Sequence, residues 1–137
     1  MSELALDTSV AIPLLVRSHA AHAAVRAAIR GRSLILTAPS QAETYSVLTR
    51  LPGDARVAPV DAARLLAANF GPAVGLDPAT VAGLPRVLAA LGIAGGAVYD
   101  AVVALAAKQQ AVALGTRDGR ALGTYAAVGV EVEVIAG

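Results

Sequence analysis

The stretch "GGAVYDAVVALAAKQQAVALGTRDGRALGTYAAVGVEVEVI", Gly95 to Ile135, decides the fold class. Two glycines open a run in which Ala, Val and Leu recur at helical spacing as far as Gln110. "AVALGT", Ala111 to Thr116, is short and apolar, the length of a buried strand. "DGRALGTYAAVG" reads as a second helix stopped by Gly129. "VEVEVI", Val130 to Ile135, alternates apolar and acidic residues with the period of two that a strand requires. Helix, strand, helix, strand at this spacing is the unit of a parallel sheet, because parallel neighbours need a crossover, usually a helix.

The rest of the chain follows the same pattern. Leu4 to Leu6 is a short apolar strand ending at Asp7, and "SLILTA", Ser33 to Ala38, is a second one. Between them "TSVAIPLLV" and "HAAHAAVRAAIRG" read as helices, the second stopping at Gly31. "PSQAETYSVLTRLPG", "PVDAARLLAANFGP" and "DPATVAGLPRVLAALG" are further helices, the last forming one or two around Pro85. The order predicts an α/β fold with a parallel sheet covered on both faces. No repeat, low-complexity segment or linker interrupts residues 1–137, so one domain is expected.

Composition narrows the class. The chain is 56% apolar and only 3% aromatic, so its core must be built from Ala, Val and Leu. The longest stretch free of Asp, Glu, Lys and Arg is Val87 to Tyr99, and it contains Gly92, Gly95 and Gly96. A membrane-spanning helix needs about 20 apolar residues, so none is expected. "MSELALD" has no basic segment ahead of an apolar one, which argues against a secretory signal. The absence of cysteine excludes disulfides and thiolate metal sites. A soluble cytoplasmic protein is the simplest expectation. Net charge is +1, but nearly all the basic residues are arginine. If several acids are gathered into one site, the remaining surface is net basic, which suits a polyanion. An ordinary solvated surface would look the same on charge alone.

The acids are therefore the informative residues. In open α/β sheets the functional crevice lies outside the carboxyl ends of the strands. Asp7 directly follows the first strand and Asp118 lies just past the third. Glu43 falls in the first turn of the helix after the second strand, and Asp100 near the start of the helix preceding the third. Each has a plainer reading. Asp7 and Asp118 stand where helix caps stand, and Ser40 with Glu43 has the spacing of a capping box. Asp100 is harder to dismiss. It is embedded beside an apolar face of Val98, Ala101, Val102 and Leu105, and Arg86 and Lys108 are not at pairing distance along the helix. An unpaired charge in such a place costs several kcal/mol, on the order that drives pairing or metal binding.

Four carboxylates gathered together repel and raise one another's pKa. A hard divalent cation, Mg2+ or Mn2+, relieves this and prefers oxygen ligands. Such an ion acidifies a bound water and orients it for in-line attack on a phosphodiester. The chemistry expected is metal-dependent phosphodiester hydrolysis.

Taken in order, "LDTSVAIPLL", "PSQAETYSVLTRLP", "GGAVYDAVVALAA" and "LGTRDGRALGTYAAVGVEV" resemble the four motifs of the PIN domain, in particular those of VapC toxins of bacterial toxin–antitoxin systems. The ordered set, running from Asp7 to Val132, carries the resemblance; no single motif does. It implies a three-layer α/β/α sandwich and an Mg2+- or Mn2+-dependent endoribonuclease. It carries the family's metal-site acids onto Asp7, Glu43, Asp100 and Asp118. Asp7 and Asp100 would be direct ligands, with Glu43 and Asp118 binding a second metal or orienting ligands and water. Thr8 or Ser9, after the first acid, and Thr116, two before the last, would hydrogen-bond metal-bound water or the carboxylates. The resemblance also implies a cognate VapB-type antitoxin and a homodimer or toxin–antitoxin hetero-oligomer. Few charges and many aliphatic side chains suggest apolar surface left for such a partner, within the helices from Glu43 to Leu91.

Other readings are weaker. His19 and His22 form an H-x-x-H without an intervening acid or a third ligand nearby. "GIAGGAV" follows no strand and is not G-x-G-x-x-G, and the chain has neither a P-loop nor a G-x-S-x-G elbow. "DTS" is also like the start of haloacid dehalogenase-type phosphatases, but the required second Asp is Ser9 here. A receiver domain would need an acidic pair near the first strand and a late lysine. Arg17, Arg117 and Arg120 are candidates for contacting RNA phosphates or the antitoxin. The competing functional class is a non-catalytic PIN-like module that binds RNA or a protein and uses its acids structurally.

Overall fold

A computed structural model describes residues 3–136. The strands are β1 (Glu3–Leu6), β2 (Ser33–Ile35), β3 (Ala113–Thr116) and β4 (Val132–Val134). The helices are α1 (Thr8–Leu15), α2 (His22–Ala28), α3 (Ala38–Thr49), α4 (Pro59–Asn69), α5 (Pro78–Ala82), α6 (Leu84–Ala90), α7 (Ala97–Gln109) and α8 (Leu122–Val128). All three strand pairings are parallel, and the order across the sheet is β2-β1-β3-β4. From β1 the chain first adds β2 on one side and later β3 on the other. The gap between the carboxyl ends of β1 and β3 is therefore the topological switch point of the sheet.

Alternation along β1 builds the two layers. Leu4 and Leu6 point to one face, where they join Val10, Ala11, Val25, Leu48, Ala62 and Leu66 of α1 to α4. Ala5 points to the other face, with Leu88 of α6, Ala101, Ala104 and Leu105 of α7, and Tyr125 and Val128 of α8. The result is the α/β/α sandwich. The alanines of α7 let it lie close to the sheet, which is how a chain with so few aromatics fills its core. The same closeness governs Gly115 in β3. A Cβ there would come within 3.1 Å of Leu6 and 3.3 Å of Ile135 and Leu4. Gly129 ends α8 at φ 85°, the left-handed cap that favours glycine.

Several boundaries differ from the sequence reading. "SLILTA" gives a strand of only three residues, because Thr37 leaves the sheet to cap α3 and accepts from Ser40 N. Helix α3 therefore starts at Ala38, so Glu43 lies in its second turn and Ser40–Glu43 does not form a capping box. The helical run around Pro85 breaks at Gly83, giving α5 and α6, and Pro85 stands in the first turn of α6 where its missing N–H costs nothing. α2 begins at His22, because His19 Nδ1 instead accepts from Ala21 N ahead of the helix and His22 Nδ1 meets Pro13 O. No helix among the described residues is long and apolar enough to cross a membrane.

Candidate active site

The ends of β1 and β3 deliver two acids to the switch point. Asp7 follows β1 and Asp118 lies two residues past β3. Helix α7 runs towards β3 from the far side of the sheet, so its first turn, carrying Asp100, lies at the same edge. Helix α3 leaves β2 at this edge and adds Ser40 and Glu43. A cleft of about 50 Å³ results, lined by Asp7, Thr8, Ser9, Ser40, Glu43, Asp100, Val103, Asp118 and Tyr125. All four candidate acids border it. That volume holds a cation with about one or two waters, so a polymer can meet the cleft only across its mouth.

The four carboxylates are not equivalent. Asp7 is 6% exposed. It occupies the N-cap position of α1, where its carbonyl oxygen accepts from Val10 N and Ala11 N, but its side chain makes no capping bond. Instead Ser9 Oγ donates to Asp7 Oδ1 at 2.5 Å, and Tyr125 Oη donates to Asp7 Oδ2 at 2.8 Å. Ser9 Oγ in turn accepts from Arg117 N at 2.8 Å and lies 3.4 Å from Thr116 Oγ1. Thr116, fully buried, accepts from Asp118 N. The capping alternative thus fails for Asp7 and holds for Asp118, whose Oδ1 accepts from Arg120 N at 3.0 Å.

Asp100 is half-buried at the cleft edge. Burial, then the negative charges of Asp118 and Asp7, push its carboxyl above the usual carboxylate range, while Arg120 opposes them. Burial and the charge of Asp7 likewise push the Tyr125 hydroxyl far up, so it is a donor at any physiological pH. Glu43 is exposed at the rim. Arg120 is exposed, with Nε 3.6 Å from Asp118 Oδ1. Arg117 is half-buried and its Nε has no partner. Arg17 lies beyond the far end of α1, about 12 Å of helix away from the cleft.

A cation fits this donor set. The lining offers hard oxygen atoms and no thiolate or imidazole, the preference of Mg2+ and Mn2+. Two lining hydroxyls, Thr8 Oγ1 and Ser40 Oγ, are buried without a protein partner. Buried polar atoms normally have partners, and water around a cation would supply them. Among the described residues, no three acidic or histidine side chains are by themselves arranged to hold a metal ion. Waters and substrate oxygens would have to complete the shell, as is usual for Mg2+.

The sequence reading missed three lining residues: Ser40, Val103 and Tyr125. "GTYAAVG" looks like an ordinary amphipathic turn, and nothing in it tells which buried atom its hydroxyl meets. The only hint was chemical: a tyrosine on a buried helix face needs a polar partner.

A second, much larger cavity opens on the α1–α4 side of the molecule. It measures about 760 Å³ and lies between α3 and α4, with Ala42 and Tyr45 on one wall, Ala63 and Ala67 on the other, and Phe70 at its end.

A model of the PIN domain family matches residues 4–127. The chain is 59% identical over 133 residues to ribonuclease VapC27 of Mycobacterium tuberculosis, covering 97% of each. It is 44% identical over 137 residues to ribonuclease VapC40 of the same species, covering 96% of this chain and 98% of that one. The crystal structure of Mycobacterium tuberculosis VapC20, a sarcin–ricin-loop-cleaving toxin, superposes with a TM-score of 0.68 at 18% identity, covering 96% of this chain and 98% of that one.

Proposed function

Because the chain belongs to the PIN-domain family and aligns with VapC ribonucleases along nearly its whole length, we propose that it is an endoribonuclease toxin of the VapC type. Residues 1–137 would form one PIN domain that hydrolyses RNA phosphodiester bonds with Mg2+ or Mn2+. The observation that carries this reading is the convergence of Asp7, Glu43, Asp100 and Asp118 on one cleft at the switch point of the sheet.

In this reading Asp7 and Asp100 ligate the cation directly. Glu43 and Asp118 hold a second ion or its waters. When bound, the metal supplies Lewis acidity and an acidified water. The chain's own residues do the rest. Each carboxylate oxygen of Asp7 has two acceptor sites, and hydroxyl donors occupy one on each, leaving the others for the cleft. Ser9 and Thr116 tie Asp7 to the strand end that delivers Asp118. Thr8 and Ser40 offer free hydroxyls to water in the cleft. Arg120, exposed beside Asp118, and Arg117 are placed to attract RNA phosphates or antitoxin carboxylates. A cognate VapB-type antitoxin would cover apolar surface such as the groove between α3 and α4. The working form would be a homodimer or a toxin–antitoxin hetero-oligomer in the cytoplasm.

The test uses the purified chain on end-labelled RNA. Cleavage should stop on chelation, return with Mg2+ or Mn2+, and be absent from Asp7→Asn. RNA binding without metal-dependent cleavage would replace this reading with the non-catalytic module. Failure of a co-encoded antitoxin to bind in a pull-down would remove the partner from the proposal.

A further inference from the structure

Tyr125 is the largest fully buried side chain among the described residues, and it borders the cleft. It stands 118 positions from Asp7 in sequence, yet their side chains meet at 2.8 Å. The two donors to Asp7 come from opposite layers. Ser9 belongs to α1, packed on the Leu4 and Leu6 face, and Tyr125 belongs to α8, packed on the Ala5 face. One donor holds Oδ1 and the other Oδ2, so turning the carboxylate about its last torsion would break both bonds.

We propose that Tyr125 is a positioning residue for the cation site: its hydroxyl fixes the plane of the Asp7 carboxylate so that the remaining lone pairs face the ion. Tyr125 itself would not touch metal or RNA. The proposal rests on the reading of Asp7 as a cation ligand. The competing account is that Tyr125 only fills space between α8 and the sheet. In that case the ring matters, and the hydroxyl is irrelevant to the ion.

The experiment is calorimetric titration of the full chain with Mn2+, alongside RNA cleavage at saturating Mn2+. Tyr125→Phe should weaken Mn2+ binding by roughly 10- to 100-fold, the range typical of groups that orient metal ligands. It should lower kcat for RNA and leave KM unchanged. Val128→Ala, a buried change on the same helix that does not touch Asp7, should leave Mn2+ affinity at the wild-type value. If Tyr125→Phe does not fold, 4-fluorophenylalanine at position 125 fills the same space without a donor and should show the same loss. 4-Aminophenylalanine at position 125 restores a donor and should restore affinity. Wild-type Mn2+ affinity in the variant lacking the donor, or an equal loss in Val128→Ala, overturns the proposal. Wild-type protein that binds no Mn2+ overturns both it and the metal reading of Asp7.

Discussion

Helix α3 separates two cavities of opposite character. On one side Ser40 and Glu43 border a polar cleft of about 50 Å³. On the other Ala38, Gln41, Ala42 and Tyr45 line an apolar groove of about 760 Å³. The spacing explains the division. Positions 38, 41, 42 and 45 repeat at the helical i, i+3, i+4, i+7 interval, and 40 and 43 form their own stripe. Thr44 and Leu48 are buried. The larger cavity is the weaker guide to chemistry. Its lining is mostly alanine, leucine and aromatic side chains, whereas the small cleft holds a buried carboxylate in Asp7, an Asp100 carboxyl raised by burial and like charge, and two unpartnered hydroxyls. Size marks surface suited to a partner, while crowded charge marks a place suited to catalysis.

If that division holds, changes on one side should leave the other alone. The largest effect belongs to the cleft. Asp100→Asn keeps the shape and removes the charge, and RNA cleavage should fall by more than about 100-fold, beyond the loss typical of groups that only orient ligands. The fold should persist by circular dichroism, and antitoxin affinity measured by titration should change far less than cleavage does. Unfolding would show instead that Asp100 belongs to a structural ion pair.

The converse change lies in the groove. Ala67→Trp fills apolar space without approaching an acid. Surface-plasmon measurement should give antitoxin binding weaker by about 30-fold, the scale of one interface hot spot of 2 kcal/mol, with unaltered RNA cleavage. Equal loss of both activities would mean that the two cavities are one functional surface.

Thr37→Ala acts on the wall they share. It removes the cap of α3 and should cost about 1 kcal/mol, seen as a melting-temperature drop of a few degrees. Both cavities should then loosen together.

The smallest effect is electrostatic. The Asp100 carboxyl binds its proton more tightly in the folded chain than in the unfolded one. Metal-free stability should therefore decline as pH rises from the unfolded carboxylate value, about 4, through the raised folded value. Asp100→Asn abolishes this penalty. Its melting temperature in chelator should match wild type at acidic pH and exceed it near neutrality by at most about 2–4 °C, because half-exposure screens the repulsion. Mn2+ affinity of the wild type should move the opposite way, weakening as pH falls, since the ligands must lose their protons.

Much of this arrangement was legible in the residues. The alternation in "VEVEVI" and the apolar run before Asp7 report strands, because a sheet face is written directly into the period. Asp100 stood out because nothing nearby in sequence could neutralise it. Glu43 was read one turn too early, since Thr37 and Ser40 are both competent caps and only the path of β2 selects Thr37. Asp7 and Asp118 looked alike as candidate caps, yet only Asp118 caps, because Ser9 and Tyr125 engage the Asp7 carboxylate instead. That contact joins residues 118 apart and is set by packing of α8, which no local pattern records. The groove between α3 and α4 was foreseen only as surplus aliphatic surface.

The distance along the chain between Asp7 and Tyr125 has a consequence for folding. Their contact closes a loop of 118 positions, and closures of that kind carry an entropy cost before any contact rewards them. Helices built from local contacts can form without it. An enzyme that attacks RNA is thus completed by one of its least local contacts: the first acid is clamped only once β1 and α8 have met.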